Sequence, residues 1–299
     1  MNPILLSLGE SIDKIFYGFD MWVFHIFGSM QNTFFTYVAK FFTSFGDEAF
    51  VIPMAVVAVA LCFFKKTRKY GFTLLFAIAI GTIVTNVVVK PMALRIRPYN
   101  TLQDVAEYWN WYTAAGSLSE SDYSFPSGHT TAATEMAVAL FLCFKKDKKK
   151  IAWLFPVLAL CTAGSRIYLM VHYPTDVIAG LIVGTVAAIA AYFLMKLAVL
   201  IFEKTKLDNI DAAKLFKKVT EKTNGKAAPA VICIAVLGIF LYSFIPSFFE
   251  GGENAVRCAY EGEYNCYNEA RVDDEKYPPI DGKEYCKIHW KELNGIAAE

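Results

Sequence analysis

The chain has 299 residues, of which 56% are hydrophobic, 15% aromatic and 19% charged, with a formal net charge of +1. That is too apolar and too sparsely charged for an ordinary water-soluble domain. A charge so close to zero gives no electrostatic reason to expect a nucleic-acid partner.

Residues 1–46 come first. Met21 to Phe42 is aromatic-rich but interrupted by His25, Gly28, Gln31, Asn32 and Lys40. It reads as amphipathic helices lying at the membrane interface, with a crossing segment as the alternative. Met1 to Glu10 has neither the basic region nor the small-residue cleavage pattern of a signal peptide. Apolar runs then follow near 47–64, 71–94, 127–144, 151–166, 174–201 and 229–249. Each approaches the ~20 helical residues that cross a hydrocarbon core. Helices are expected because lipid cannot satisfy open backbone groups. Pro53 and Pro156 read as prolines tolerated near helix starts. The expected fold class is therefore all-α, a polytopic membrane helical bundle. Its core is 47–201, followed by a lysine-rich linker at 202–228, a further span at 229–249 and a polar tail at 250–299.

The loops alternate in charge. Lys65, Lys66, Arg68 and Lys69 follow the first span; Lys145, Lys146, Lys148, Lys149 and Lys150 follow the third; a lysine-rich segment follows the fifth. The 99–126 loop carries Asp104, Glu107, Glu120 and Asp122 and no Lys or Arg. Basic loops stay in the cytoplasm, which puts the 99–126 loop and the tail outside. The tail is acidic and holds Cys258, Cys266 and Cys286, whereas Cys62, Cys143, Cys161 and Cys233 fall in apolar helices. For the tail, a disulfide between one pair and a disordered extension with reduced cysteines both stay open.

Three stretches on the outer side carry reactive side chains: Lys90 to Pro98 (KPMALRIRP), Pro126 to His129 (PSGH) and Ser165 to Asp176 (SRIYLMVHYPTD). Lys90, Arg97 and Arg166 supply positive charge for the non-bridging oxygens of a phosphate ester. Arginine adds a planar fork for two such oxygens. Lys90 and Arg97 are seven apart and are expected on one helix face, with Pro98 ending the helix. Ser127 is a natural N-cap, and Gly128 lets the first turn's N–H groups approach an anion. His172 and Asp176 are four apart, so the carboxylate can fix one imidazole nitrogen and leave the other free to attack. His129 can then protonate the leaving oxygen.

Together these stretches resemble the signature of the type 2 phosphatidic acid phosphatase superfamily, which also includes bacterial acid phosphatases, glucose-6-phosphatase and vanadium haloperoxidases. The resemblance covers roughly residues 20 to 200. It implies that His172 is the nucleophile that becomes phosphohistidine, Asp176 its orienting partner and His129 the general acid. It implies that Lys90, Arg97, Ser127, Gly128 and Arg166 form the phosphate cradle, and that no metal or other cofactor takes part. The implied activity is that of a cell-membrane lipid phosphatase acting at the outer surface, with undecaprenyl diphosphate the favoured substrate. Phosphatidic acid, phosphatidylglycerol phosphate and diacylglycerol diphosphate are the alternatives. A phospholipid transporter or scramblase, and a vanadate-dependent oxidase, are the competing classes. The tail lies outside the shared core and is expected to be dispensable for hydrolysis of a short-chain lipid phosphate. Oligomeric state is not legible.

Overall fold

The computed structural model describes residues 7–214, 231, 234–239, 241–242, 255–261, 266–272 and 276–296. The first three helices begin where a side chain satisfies one of their first N–H groups. Helix α1 (Leu8–Gly28) opens on a capping box in which Ser7 and Glu10 bond each other's backbone N–H. Asn32 caps α2 (Thr33–Thr43) and Asp47 caps α3 (Glu48–Cys62), with a short 3-10 turn between them. Helix α4 (Arg68–Thr82) continues through a π-helical stretch, Ile83–Val89, into α5 (Lys90–Ala93). Two short helices, α6 (Pro98–Thr101) and α7 (Ala106–Ala114), then lead into a long loop. Three long helices complete the core: α8 (Gly128–Lys146), α9 (Leu154–Tyr168) and the 31-residue α10 (Pro174–Lys204).

Four helical runs are long and apolar enough to cross a membrane: Thr33–Cys62, Arg68–Thr101, Lys150–Tyr168 and Pro174–Lys204. This is a helical membrane protein, as the composition predicts. The expected span at 127–144 does form α8, but α8 is not among those four runs. It carries Thr130, Thr131, Thr134 and Glu135, all buried. It packs against α4, α9 and α10, so protein rather than lipid surrounds its polar side. The 1–46 segment divides into α1 and α2, and α2 leads through the 3-10 turn into α3. Pro156 lies in the first turn of α9, but Pro53 is the sixth residue of α3. The 229–249 span and the 202–228 linker fall largely outside the described residues. Residues 234–239 are helical, and Val236 and Ile239 pack against the apolar core of α3, α4, α8 and α10.

Small residues let the central helices close up. Gly180 and Gly184 form a G-x-x-x-G pair on α10. A Cβ at Gly180 would lie 2.9 Å from the Ser127 carbonyl oxygen, and one at Gly184 would lie 2.7 Å from that of Thr131. Ala187, Ala188 and Ala191 extend this buried face. Ile178, Ile182, Val186, Ile189, Phe193 and Leu197 are exposed. Their spacing of three and four marks a stripe suited to lipid contact. The α8–α10 contact is pinned at one end by the Ser127 N–H, which donates to the Asp176 carbonyl oxygen at 3.1 Å.

The tail folds as a small unit of its own. Strands β1 (Ala255–Arg257) and β2 (Glu269–Arg271) pair antiparallel, and helix α11 (Lys287–Leu293) follows. The unit docks on the α6–α7 roof: Asn268 Oδ1 accepts from Tyr99 Oη at 3.0 Å and from Asn100 Nδ2 at 2.9 Å, and Tyr267 packs edge-on against Trp109 at 4.8 Å.

Candidate active site

The structure brings all eight sequence-selected residues to one end of the core. Lys90 arrives at the end of the long α4–α5 rod. Its neighbour in the pattern, Arg97, does not share that helix face. The helix stops at Ala93, Leu94 turns left-handed at φ 52°, and Arg97 is extended at ψ 149°. A residue before proline is pushed out of the α region, so Pro98 opens α6 instead of ending the earlier helix. Lys90 and Arg97 still converge, because both bond the carboxylate of Asp122.

Arg97 is the hub. Its guanidinium donates to the Asp122 carbonyl at 2.8 Å, the Val171 carbonyl at 3.1 Å and Glu120 Oε2 at 2.5 Å. One of its nitrogens lies 3.2 Å from His172 Nε2. Arg166, near the end of α9, holds Thr43 Oγ1 at 2.7 Å and pairs with the other oxygen of Glu120. The side chains of Lys90, Arg97 and Arg166 are 9%, 1% and 3% exposed. Three buried cations therefore face two carboxylates from the 115–126 loop.

His172 is fully buried. Its Nδ1 lies 3.5 Å from Asp176 Oδ2 and 3.4 Å from Ser124 Oγ. Burial first, and then the positive charge of Arg97, Arg166 and Lys90, holds its pKa well below the ordinary 6.5. The imidazole is therefore neutral at pH 7. Asp176 is locked from four directions. It accepts from Arg95 at 2.5 Å, from Ser124 Oγ at 2.5 Å and from the Tyr173 N–H at 2.9 Å, and it lies beside His172. His129, in the first turn of α8, sits between Asp47 Oδ2 at 3.7 Å and Glu120 Oε1 at 3.9 Å. Ser127 caps α8 as expected, and its Oγ accepts from Thr130 Oγ1 at 3.0 Å. A Cβ on Gly128 would lie 3.7 Å from Lys90 Nζ.

Several site residues escape the sequence reading. Arg95 lies inside the first motif and is fully buried. It bonds Asp13 at 2.8 Å, Asp20 at 2.9 Å and Thr175 Oγ1 at 2.7 Å as well as Asp176, and its guanidinium stacks 3.8 Å above the Tyr173 ring. Asp20 also takes the Thr175 N–H at 2.9 Å. The available signal was Asp13 and Asp20, two acids seven apart and so on one face of the first helix. Ser124, Asp47, Glu120 and Asp122 are the others. Among the described residues, the one group of Cys, His, Asp and Glu side chains spaced to hold a metal lies in the tail, at Cys258, Cys266, Cys286 and His289.

Buried cations converging beside a neutral, carboxylate-oriented imidazole, at the end of a membrane helix bundle, define a membrane-embedded phosphate-handling enzyme. The PAP2 superfamily model matches residues 70–199. An undecaprenyl-diphosphatase of Sulfolobus acidocaldarius is 32% identical over 169 residues, covering 56% of this chain and 74% of that protein. Phosphatidylglycerophosphatase B of Bacillus subtilis is 30% identical, covering 52% of this chain and 70% of that protein. The fold is similar to the crystal structure of a transmembrane PAP2-type phosphatidylglycerolphosphate phosphatase from Bacillus subtilis, at TM-score 0.50 and 24% identity over 67% of this chain and 92% of that one. The chain belongs to the PAP2 superfamily and is a phosphoric ester hydrolase.

Proposed function

We propose that the protein hydrolyses the terminal phosphate of a membrane lipid, undecaprenyl diphosphate before others, through a phosphohistidine on His172. One observation carries this reading: His172 Nε2 points to Arg97 at 3.2 Å while Nδ1 faces Asp176 and Ser124. A neutral imidazole so held keeps its free nitrogen aimed where Lys90, Arg97 and Arg166 gather. The phosphate oxygens take the positions of the Glu120 and Asp122 carboxylates, and the 115–126 loop yields to admit them. Nε2 attacks phosphorus, the P–O bond to the leaving group breaks, and His129 gives that oxygen its proton. Water then attacks the phosphohistidine, with His129 taking its proton, and inorganic phosphate leaves. Asp176 steadies the imidazole's positive charge while the phosphorus is attached.

Lipid as the substrate class is supported by the apolar helices around the site and by the names of the similar proteins. The similarity to a phosphatidylglycerophosphatase makes phosphatidylglycerol phosphate the second reading. Placement in the cell membrane with the site outward rests on the basic loops at the far helix ends. The test is phosphate release from a panel of lipid phosphates in detergent, with phosphoenzyme trapped from radiolabelled substrate by an alkaline denaturing quench, which preserves a P–N bond that acid would cleave. The reading requires undecaprenyl diphosphate to have the highest kcat/KM and the label to be lost in His172→Ala. Turnover by folded His172→Ala protein overturns the mechanism, and preference for phosphatidylglycerol phosphate replaces the first substrate with the second.

A further inference from the structure

We propose that Cys258, Cys266, Cys286 and His289 hold one structural zinc ion, which folds the tail and fastens it to the roof of the active site. Their three Sγ atoms and the histidine Nδ1 are buried and lie within 4.8 Å of one another. Cys266 and Cys286 Sγ are 4.0 Å apart, and His289 Nδ1 lies 3.5 Å from Cys258 Sγ and 3.4 Å from Cys286 Sγ. With Zn–S near 2.3 Å and Zn–N near 2.05 Å, a tetrahedral ion separates its ligands by about 3.8 Å for S···S and about 3.6 Å for S···N. Those three separations are close to these values, and no pair in the cluster is wider than 4.8 Å, so a small inward shift closes the set around an ion. The cluster does not have the dimensions of a disulfide, whose sulfurs lie about 2.05 Å apart, and all three cysteines are free.

The local fold presents the ligands in pairs. Cys286 caps α11 and His289 follows in its first turn. Cys258 follows β1, Cys266 precedes β2, and the Cys258 N–H bonds the Asn268 carbonyl at 3.0 Å. Donors are in place to hold the thiolates: the Cys286 N–H reaches Cys258 Sγ at 3.2 Å, and Asn268 Nδ2 reaches Cys286 Sγ at 3.6 Å. The His289 ring stacks on Tyr260 at 3.7 Å, which fixes its plane. Three thiolates and an imidazole are a soft, closed donor set, suited to zinc and leaving no ligand position for chemistry.

Folding energetics point the same way. The buried cluster of this unit consists of the three cysteines, with Tyr260, Tyr285 and Ile288 packed around it. A unit this small lacks the apolar core to stay folded without a staple. Three cysteines leave one over in any disulfide scheme, and His289 completes a set of four for a metal. The unit also has a structural task, because Asn268 is the residue that grips Tyr99 and Asn100. Tyr99 Oη in turn lies 3.1 Å from the Glu120 N–H, so the tail is one residue removed from the loop that faces the three cations.

The test uses the full chain, purified without chelator. Elemental analysis should find one zinc per chain, falling at least tenfold in both Cys266→Ser and His289→Ala. Exchange of the wild-type protein into cobalt should give the intense visible d–d bands and thiolate charge-transfer band of a tetrahedral sulfur-rich site. That readout does not depend on how well the variants fold. Wild-type protein that carries no zinc and gives no such cobalt spectrum overturns the proposal. So does a mass spectrum with a disulfide between any two of the three cysteines, or zinc retained in both variants. None of these readouts involves phosphatase activity, so this proposal and the assignment of His172 stand or fall separately.

Discussion

His172 is buried among cations, and its charge state follows from that position. Its folded-state pKa lies below the unfolded 6.5, so the native imidazole refuses a proton that the unfolded chain accepts. As pH falls below about 6.5, this residue removes stability, and the loss continues down to its depressed folded value. Histidine NMR of detergent-solubilised protein should show His172 still neutral at pH 6; a midpoint near 6.5 would contradict its burial among cations. His172→Ala should retain the fold and lose about four orders of magnitude in turnover or more, because no second imidazole is aligned to attack. Arg95 acts at one remove, as a positioning residue. It is fully buried and forms ion pairs with Asp13, Asp20 and Asp176 at once. Arg95→Ala strands those carboxylates and should cost about 3–5 kcal/mol of stability, read by thermal unfolding. Arg95→Lys keeps the charge but not the fork. It should therefore recover stability before kcat, whereas a purely structural role predicts that the two recover together. The motif residues were legible because phosphate chemistry restricts which side chains can serve. Arg95 was not, because its partners Asp13 and Asp176 lie 82 and 81 positions away and nothing local announces them.

Among the elements, the 115–126 loop has the clearest energetic role. It delivers Glu120 and Asp122 onto Lys90, Arg97 and Arg166. Burial raises the Asp122 carboxyl's pKa, but Lys90 and Arg97 outweigh that and hold it well below 3.8. The Asp122 carboxylate therefore stays anionic at pH 5, and mild acidification does not release it from Lys90 and Arg97. Asp122→Asn should remove a competitor for the cradle and tighten inhibition by vanadate, a phosphate mimic, by roughly fivefold to tenfold. Weaker inhibition in that variant would mean that the carboxylate helps to shape the site. The α8–α10 crossing is the other sensitive element. Gly184→Val forces a side chain against the Thr131 carbonyl and Thr134 Cβ, both 2.7 Å from an ideal Cβ. It should cost about 1–3 kcal/mol, seen as a lower unfolding temperature. The long apolar helices were legible from composition because lipid demands it. The break at Leu94 was less so, since Pro98 is compatible either with ending one helix or with opening the next. The course of α8 was legible, but its position inside the bundle was hidden, because a polar face buried in protein and one lining water read alike.

At the scale of the molecule, each central helix joins two unlike ends. The α4–α5 rod runs from Arg68 to Lys90, α8 from Ser127 to Lys146, and α10 from beside His172 to Lys204. One end of each lies at the site; the other meets the lysine-rich loops, where Lys69 pairs with Asp147 at 2.5 Å. The 19 residues of α8 span about 28 Å, close to the thickness of a hydrocarbon core. The tail docks at the site end through Asn268. The orientation we propose from the positive-inside rule has the lysine loops in the cytoplasm and the site and tail outside. In intact cells, single cysteines placed at exposed Ser121 or Thr113 should react with a membrane-impermeant maleimide, and cysteines placed at Lys146 or Lys149 should react only after permeabilisation. The parent for this experiment lacks Cys62, Cys143, Cys161 and Cys233 but keeps the three tail cysteines, whose burial keeps background labelling low. Labelling of the lysine loops alone would invert the protein. The phosphate cradle would then open to the inner leaflet, and a lipid whose phosphate is presented at the cytoplasmic face would have to replace undecaprenyl diphosphate presented outside.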